Sequence, residues 1–258
     1  MRISLIGAGR VAFHLVKVLT AKHQIVDIYN RTYANAEELA VSVSAKAVSH
    51  MSQLDKSVDL ILIAVSDQSI ASVIEELHEH VPHALIVHTS GSTHIDVLSK
   101  LHARAGVFYP LQTFSIEREV DWLNTPLFIE AIHDSDLNML YQLAEEMSQC
   151  VYQYTSAQRL SLHLAAVFAC NFSNYCYDMA KQVVDAQSVD FSLLYPLIEA
   201  TAKKALIAEP KQMQTGPAMR GDKNIIAMHQ QLLAQAGRSD LQNIYALMSE
   251  QILQRHKS

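Results

Sequence analysis

Apolar and polar positions follow two different rhythms along the chain. Up to about residue 155, short runs rich in Ile, Val and Leu alternate with stretches in which apolar residues return every three or four positions. The runs predict strands at 2–6, 24–29, 46–48, 58–65, 84–88, 105–109, 127–132 and 151–154. The stretches predict helices at 10–21, 34–41 and 136–148, with shorter ones between. The 58–65 run is nearly continuous, as a strand covered on both faces requires. Near Thr155 this alternation stops, and almost only helical periodicity follows, over 156–186, 192–207, 222–236 and 240–255. The first of these predicts one helix of about 45 Å at 1.5 Å per residue. The second ends before Pro210; Asp222, after Gly221, suits the N-cap of the third. No flexible linker marks the boundary. The pattern therefore predicts an α/β domain over 1–155 and an all-α domain over 156–258.

The first strand runs straight into Gly7-Ala8-Gly9-Arg10-Val11-Ala12. This is G-x-G-x-x-A between a strand and a helix, the context of a dinucleotide-binding turn. Gly7 allows a sharp turn, Gly9 allows the backbone to approach a pyrophosphate, and Ala12 keeps helix and strand close. Free N–H groups at the helix start face the phosphates. The sheet domain is thus expected to be of Rossmann type, doubly wound and mostly parallel, with Gly7, Ala8, Gly9, Arg10 and Val11 at the cofactor. Asn30-Arg31-Thr32 ends the second strand, where an NAD enzyme places a carboxylate on the ribose and an NADP enzyme a phosphate acceptor. Asn30 takes the carboxylate's place, and the Arg31 fork matches a phosphate. Asp27 has the nominal spacing but lies within the apolar run. NADP is expected over NAD. Val65 and Ser66, where the fourth strand ends, and Ser90 and Gly91, after the fifth, complete the expected cofactor contacts at the carboxyl edge of the sheet.

Composition narrows the possibilities. The chain has 258 residues, half of them hydrophobic, and a formal net charge of −6. That length allows one large domain or two small ones, and the acidic balance argues against nucleic-acid or membrane-surface partners. No apolar stretch reaches spanning length and no signal sequence opens the chain, so a cytoplasmic protein is expected. Cys150, Cys170 and Cys176 are an odd number without metal spacing, consistent with reduced thiols. Of thirteen histidines, His78, His80 and His83 gather beside Glu75, Glu76 and Glu79; a solvated helix end is expected there, and no metal site.

Two segments of the helical half carry candidate chemistry. His163, Asn171 and Asn174 interrupt a strongly apolar stretch. At about 100° per residue, Asn174 lies roughly 20° from His163 and Asn171 about 80° from it, so a polar stripe is predicted. These three are the catalytic candidates, His163 first as a proton carrier and His88 in reserve. Thr215-Gly216-Pro217-Ala218-Met219-Arg220-Gly221-Asp222 reads as a loop offering Thr215 and Arg220 to an anionic substrate, with Gln112 as a third substrate contact. The active cleft is expected between the two domains. Helical faces such as Leu160, Leu164, Phe168 and Leu194, Leu197, Ile198 carry more apolar surface than the domain can bury, which predicts a homodimer through that domain.

The glycine turn, Asn30-Arg31-Thr32, Ala64-Val65-Ser66-Asp67, His88-Thr89-Ser90-Gly91-Ser92, Tyr109-Pro110-Leu111-Gln112-Thr113-Phe114 and the Thr215–Asp222 segment occur in this order. Together they resemble the two-domain Rossmann-like family with a C-terminal DUF2520 domain. More widely they resemble the 6-phosphogluconate dehydrogenase-like, ketopantoate reductase and pyrroline-5-carboxylate reductase group. The resemblance implies an NADP-binding N-terminal domain and a helical domain that often dimerises. It supplies no substrate. The family usually has His before Pro-Leu-Gln-Thr-Phe, where this chain has Tyr109. The hydroxyacid dehydrogenases' catalytic lysine has no clear match; Lys181, Lys203 and Lys204 are candidates by proximity. The expected function is NADP-dependent hydride transfer to or from a small carbonyl, imine or hydroxy-acid compound. The alternatives are a non-catalytic dinucleotide-binding sensor or assembly protein and, more weakly, a metal-assisted enzyme.

Overall fold

The computed structural model describes residues 1–257, which form two compact units that divide between Phe168 and Ala169. The first contains β1 (Arg2–Ile6), α1 (Arg10–Leu19), β2 (Gln24–Tyr29), α2 (Tyr33–Ser42), β3 (Lys46–Val48), β4 (Leu60–Ile63), α3 (Asp67–Leu77) and β5 (Leu85–His88). It continues with α4 (Asp96–Ser99), β6 (Ala105–Pro110), β7 (Leu127–Ala131), α5 (Asp134–Glu145), β8 (Val151–Gln153) and α6 (Ser156–Ala166). All eight strands form one sheet in the order β3-β2-β1-β4-β5-β6-β7-β8. Every neighbouring pair is parallel except β6 with β7. This is the mostly parallel, doubly wound sheet that the alternation predicts.

Strand periodicity divides the core in two. Ile3 and Leu5, Leu60 and Leu62, and Leu85 and Val87 face one layer, shared with Leu15 and Leu19 of α1, Leu39 of α2 and Leu140 and Leu143 of α5. Ile6, Ile61, Ile63 and Ile86 face the other, against Ile70, Ile74 and Leu77 of α3. Successive side chains of a strand point to opposite faces, so a sheet covered on both sides shows no polar phase. Because the strand order reverses from β1 to β4, their carboxyl ends open a crevice that no crossover fills.

The second unit contains α7 (Ser173–Asp185), α8 (Tyr195–Ile207), the single turns α9 (Pro210–Met213) and α10 (Pro217–Arg220), α11 (Lys223–Gln235) and α12 (Ser239–His256). Asp222 caps α11, its carboxylate accepting from the Ile225 N–H at 3.3 Å. Two expectations need correction here. The Thr215–Asp222 segment is not an open loop: Gly216 and Gly221, with φ of 107° and 70°, bracket the helical turn α10. The single helix expected over 156–186 is interrupted by a π-helical stretch at Val167–Phe172. A π turn admits an extra residue, about 100° of added rotation. The arithmetic that aligned Asn174 with His163 assumed unbroken α geometry and no longer follows. Among the described residues, no helix is long and apolar enough to cross a membrane. Nor does any group of three His, Cys, Asp or Glu stand where it could hold a metal ion.

Candidate functional site: a cleft at the carboxyl edge of the sheet

In the first unit, the ends of β1, β2, β4, β5 and β6 line a cleft of about 1240 Å³. That exceeds the usual range for a single small ligand and suits an elongated one. The twelve residues expected to touch a dinucleotide all line it: Gly7, Ala8, Gly9, Arg10, Val11, Asn30, Arg31, Thr32, Val65, Ser66, Ser90 and Gly91. Gln112 and His163 line it too.

The two glycines of the opening turn differ in what they need. Gly7 has φ +116°, donates its N–H to the Tyr29 carbonyl at 2.7 Å, and would place a Cβ 2.3 Å from the Ala64 carbonyl oxygen. Its role is internal to the fold. Gly9 has an ordinary φ of −85°, and nothing lies within 4 Å of where its Cβ would stand. The empty space is the cleft itself. Gly9 is also the N-cap of α1 and offers no side-chain cap, so the first amides of that helix remain available to an anion.

At the end of β2, Asn30 Nδ2 donates to the Thr32 carbonyl at 3.0 Å, shaping the turn that presents the exposed Arg31. Asp27 is buried beneath the strand, where its carboxylate accepts from the Asp55 N–H at 2.7 Å and the Ser4 hydroxyl at 3.3 Å. It cannot reach a ribose. Met51, Asn35 and Glu76 line this end as well. None was expected: Met51 and Asn35 carry no motif, and Glu76 reads as part of a solvated helix end.

At the opposite end, the loop after β5 meets β6 and α6. Gly91 would place a Cβ 2.6 Å from His163 Nδ1 and 2.7 Å from Tyr109 Cζ. The absent side chain is filled by those two, which hydrogen-bond each other at 3.2 Å. Tyr109, read from sequence as a lost histidine, therefore belongs to the site. Asp67, at the start of α3, also lines the cleft and accepts from the Ser92 hydroxyl. Ser66 is the N-cap of α3 but makes no side-chain cap bond; its hydroxyl pairs with Ser69 at 2.9 Å.

A buried ion pair fixes α6. Arg159, 1% exposed, donates to Glu130 of β7 at 2.5 Å, to the Thr93 carbonyl at 2.5 Å and to Ser156 Oγ at 3.1 Å. Ser156 in turn donates to Glu130 and accepts from the Ile95 N–H. Thr155 and Gln158 close a capping box over the same turn. The helix bearing His163 is thus tied to β7 and to the segment after β5.

His88, the reserve candidate, is fully buried and does not line the cleft. Its Nδ1 accepts from the Ser90 N–H at 3.2 Å, which shapes the loop. Burial first, then the Arg159 charge, push its pKa down to about 3. His23 and His102 are also lowered, mainly by burial. In the unfolded chain these imidazoles titrate near 6.5. Stability is therefore expected to be full above that pH and to fall as pH drops towards 3, because only the unfolded chain takes up the protons. Urea midpoints at pH 7.5 and pH 5 measure this. His88→Asn, which keeps an acceptor for Ser90, should lower the slope by up to about 1.4 kcal/mol per pH unit.

Asn171, Asn174, Thr215 and Arg220 are exposed residues of the second unit and are not among the residues lining this cleft. The stripe that selected Asn171 and Asn174 assumed unbroken α geometry, and the segment read as a loop around Thr215 and Arg220 contains the helical turn α10.

Comparisons with known proteins agree on the architecture. A Rossmann-like domain model matches residues 1–113, and DUF2520, a domain of unknown function, matches residues 125–252. A Bacteroides fragilis protein named as an NADP oxidoreductase is 40% identical, covers 98% of both chains and superposes with a TM-score of 0.90. A Thermotoga maritima protein is 21% identical over 99% of this chain and 98% of its own, with a TM-score of 0.69. An imine reductase from Myxococcus stipitatus, solved with NADP+, is 14% identical over 100% of this chain and 94% of its own, with a TM-score of 0.76. No curated protein matches. With the glycine turn, the reversed strand order and near-complete coverage of a 40% identical structure, the chain belongs to the Rossmann-like, DUF2520-containing family.

Proposed function

We propose that this protein is an NADP-dependent oxidoreductase that moves hydride between the nicotinamide and a small imine or carbonyl carbon. The observation that carries the reading is the open position at Gly9, over a helix start without a side-chain cap, in the same cleft that Arg31 lines after β2. The residues fit the cofactor: Gly7 to Val11 would hold the pyrophosphate, Arg31 and Thr32 the phosphorylated ribose, and Ser90 and Gly91 the nicotinamide half. When bound, the nicotinamide supplies or accepts the hydride; the protein orients the reactants and handles one proton. The names of similar structures, an NADP oxidoreductase and an NADP+-bound imine reductase, support the same reading.

The charge pattern favours an imine or uncharged carbonyl over a keto or hydroxy acid. Arg10 and Arg31 line the cleft at the expected phosphate and ribose positions, whereas the end near Tyr109 and His163 carries the Asp67 carboxylate, and the Arg159 cation near it is already paired with Glu130. Binding of NADPH, followed by its fluorescence, and then turnover with uncharged cyclic imines and ketones against keto acids test both parts. NADPH consumption only with keto acids would remove the charge argument. Substituting Arg31 with Asp is expected to weaken NADPH about 10- to 100-fold while leaving NADH nearly unchanged, since a charge-assisted fork is lost. Equal effects on both would remove the NADP assignment.

Self-association through the helical unit is part of the proposal. Of its described residues only Ala218, Leu241 and Ser249 are buried, while Leu193, Leu197, Leu206, Ile207, Leu232 and Leu247 are exposed. Apolar area on this scale marks an interface. Light scattering should give twice the 28.8 kDa chain mass at micromolar concentration; a monomer refutes it.

A further inference from the structure

Tyr109, the last residue but one of β6, is only 9% exposed, lines the cleft and meets His163 through its hydroxyl. The two rings meet edge to face, with centroids 6.2 Å apart and an interplanar angle of 70°. Gly91 leaves room for both over bare backbone. Three separate elements therefore converge on one phenol: β6 carries it, the loop after β5 makes space for it, and α6 delivers its hydrogen-bond partner. We propose that Tyr109 is the proton donor of the reaction and that His163 positions and reloads it. This rests on the oxidoreductase reading and replaces His163 as the group that touches the substrate.

The charged and titratable groups around the phenol are Asp67, Arg159 and His163, with His88 held neutral behind the loop. Burial, then the Asp67 carboxylate, raise the phenol to about 12, with Arg159 opposing. It therefore stays protonated through the neutral range, as a donor must. As hydride reaches the carbon of a C=N or C=O bond, the π pair moves to the heteroatom. The Tyr109 O–H bond breaks and its proton forms the new N–H or O–H bond. The phenolate takes the Nδ1 proton of His163, and that ring accepts one from solvent at Nε2, passing from one neutral tautomer to the other. The half-buried placement of His163 leaves it open to solvent. In the oxidative direction each transfer runs backwards.

Tyr109→Phe keeps the ring and removes the hydroxyl. Three measurements on the full-length protein test the assignment. In ¹⁵N-imidazole spectra of the cofactor-free protein, the His163 signals, identified by their loss in His163→Gln, should shift on Tyr109→Phe. NADPH affinity should stay within about threefold of the parent, a change of under 1 kcal/mol. With 2-methyl-1-pyrroline or cyclohexanone as probes, kcat should fall about 100-fold or more with little change in KM. His163→Gln should lower kcat less and move its pH profile. Unchanged His163 signals, or full turnover by Tyr109→Phe, overturn the assignment. A parent protein that binds NADPH but reduces no probe overturns donation together with the oxidoreductase reading, while the His163 signals still report the contact separately.

Discussion

Gly9→Val is expected to leave the protein folded and to weaken NADPH about 100-fold or more, because branched carbon then occupies the place of the pyrophosphate. The φ of −85° suits any residue, and beyond the adjoining residues nothing in the protein lies within 4 Å of the new Cβ. Thermal midpoint should therefore move by no more than about 2 °C, as for a surface change. Gly7→Ala is the opposite case. It forces a side chain into a φ of +116° and against the Ala64 carbonyl at 2.3 Å. Strained backbone alone costs about 1–3 kcal/mol, and the clash with main chain cannot relax by a rotamer change. Gly7→Ala should lose stability first and binding as a consequence. If Gly9→Val binds NADPH like the parent, the cleft does not hold the pyrophosphate where the turn places it.

Arg159→Met is expected to destabilise the first unit by about 3 kcal/mol, read as a lower urea midpoint at an unchanged m-value. The cost comes less from the lost attraction than from what remains: the Glu130 carboxylate, partly buried, keeps Ser156 but loses its cation. The Thr93 carbonyl loses its donor in the same change. Adding Glu130→Gln to Arg159→Met should recover part of the loss, because the amide carries no charge to strand. A single change as costly as the double one would show that packing, and not charge, fixes this helix.

The α/β half was legible because both of its signals are local. Strands covered on both faces read as unbroken apolar runs, and the glycine turn is constrained by a chemistry that spacing reveals. Observed strand bounds fall within a residue or two of those predicted, as at Gln24–Tyr29 and Lys46–Val48. The reacting end was only partly legible. His163 was found because a titratable group in an apolar helix demands a reason. Tyr109 was missed because its value depends on Gly91 and His163, eighteen and fifty-four positions away, which only the pairing of β5 with β6 and the anchoring of α6 bring together. Asp67 reads in sequence as a helix start and nothing more. The helical half misled for a different reason: a π stretch leaves no mark in hydrophobic periodicity, yet it rotates everything after it. Short turns such as α10, bracketed by glycines, have too few residues to show any period.

Asp27 holds the backbone of the segment before β4 through the Asp55 amide, and so is committed to architecture. Asn30 holds one local turn through the Thr32 carbonyl, and Arg31 beside it is exposed. On the proposed reading, nucleotide preference can therefore be retuned at Asn30 and Arg31 without disturbing the acid that a naive alignment of spacings would blame.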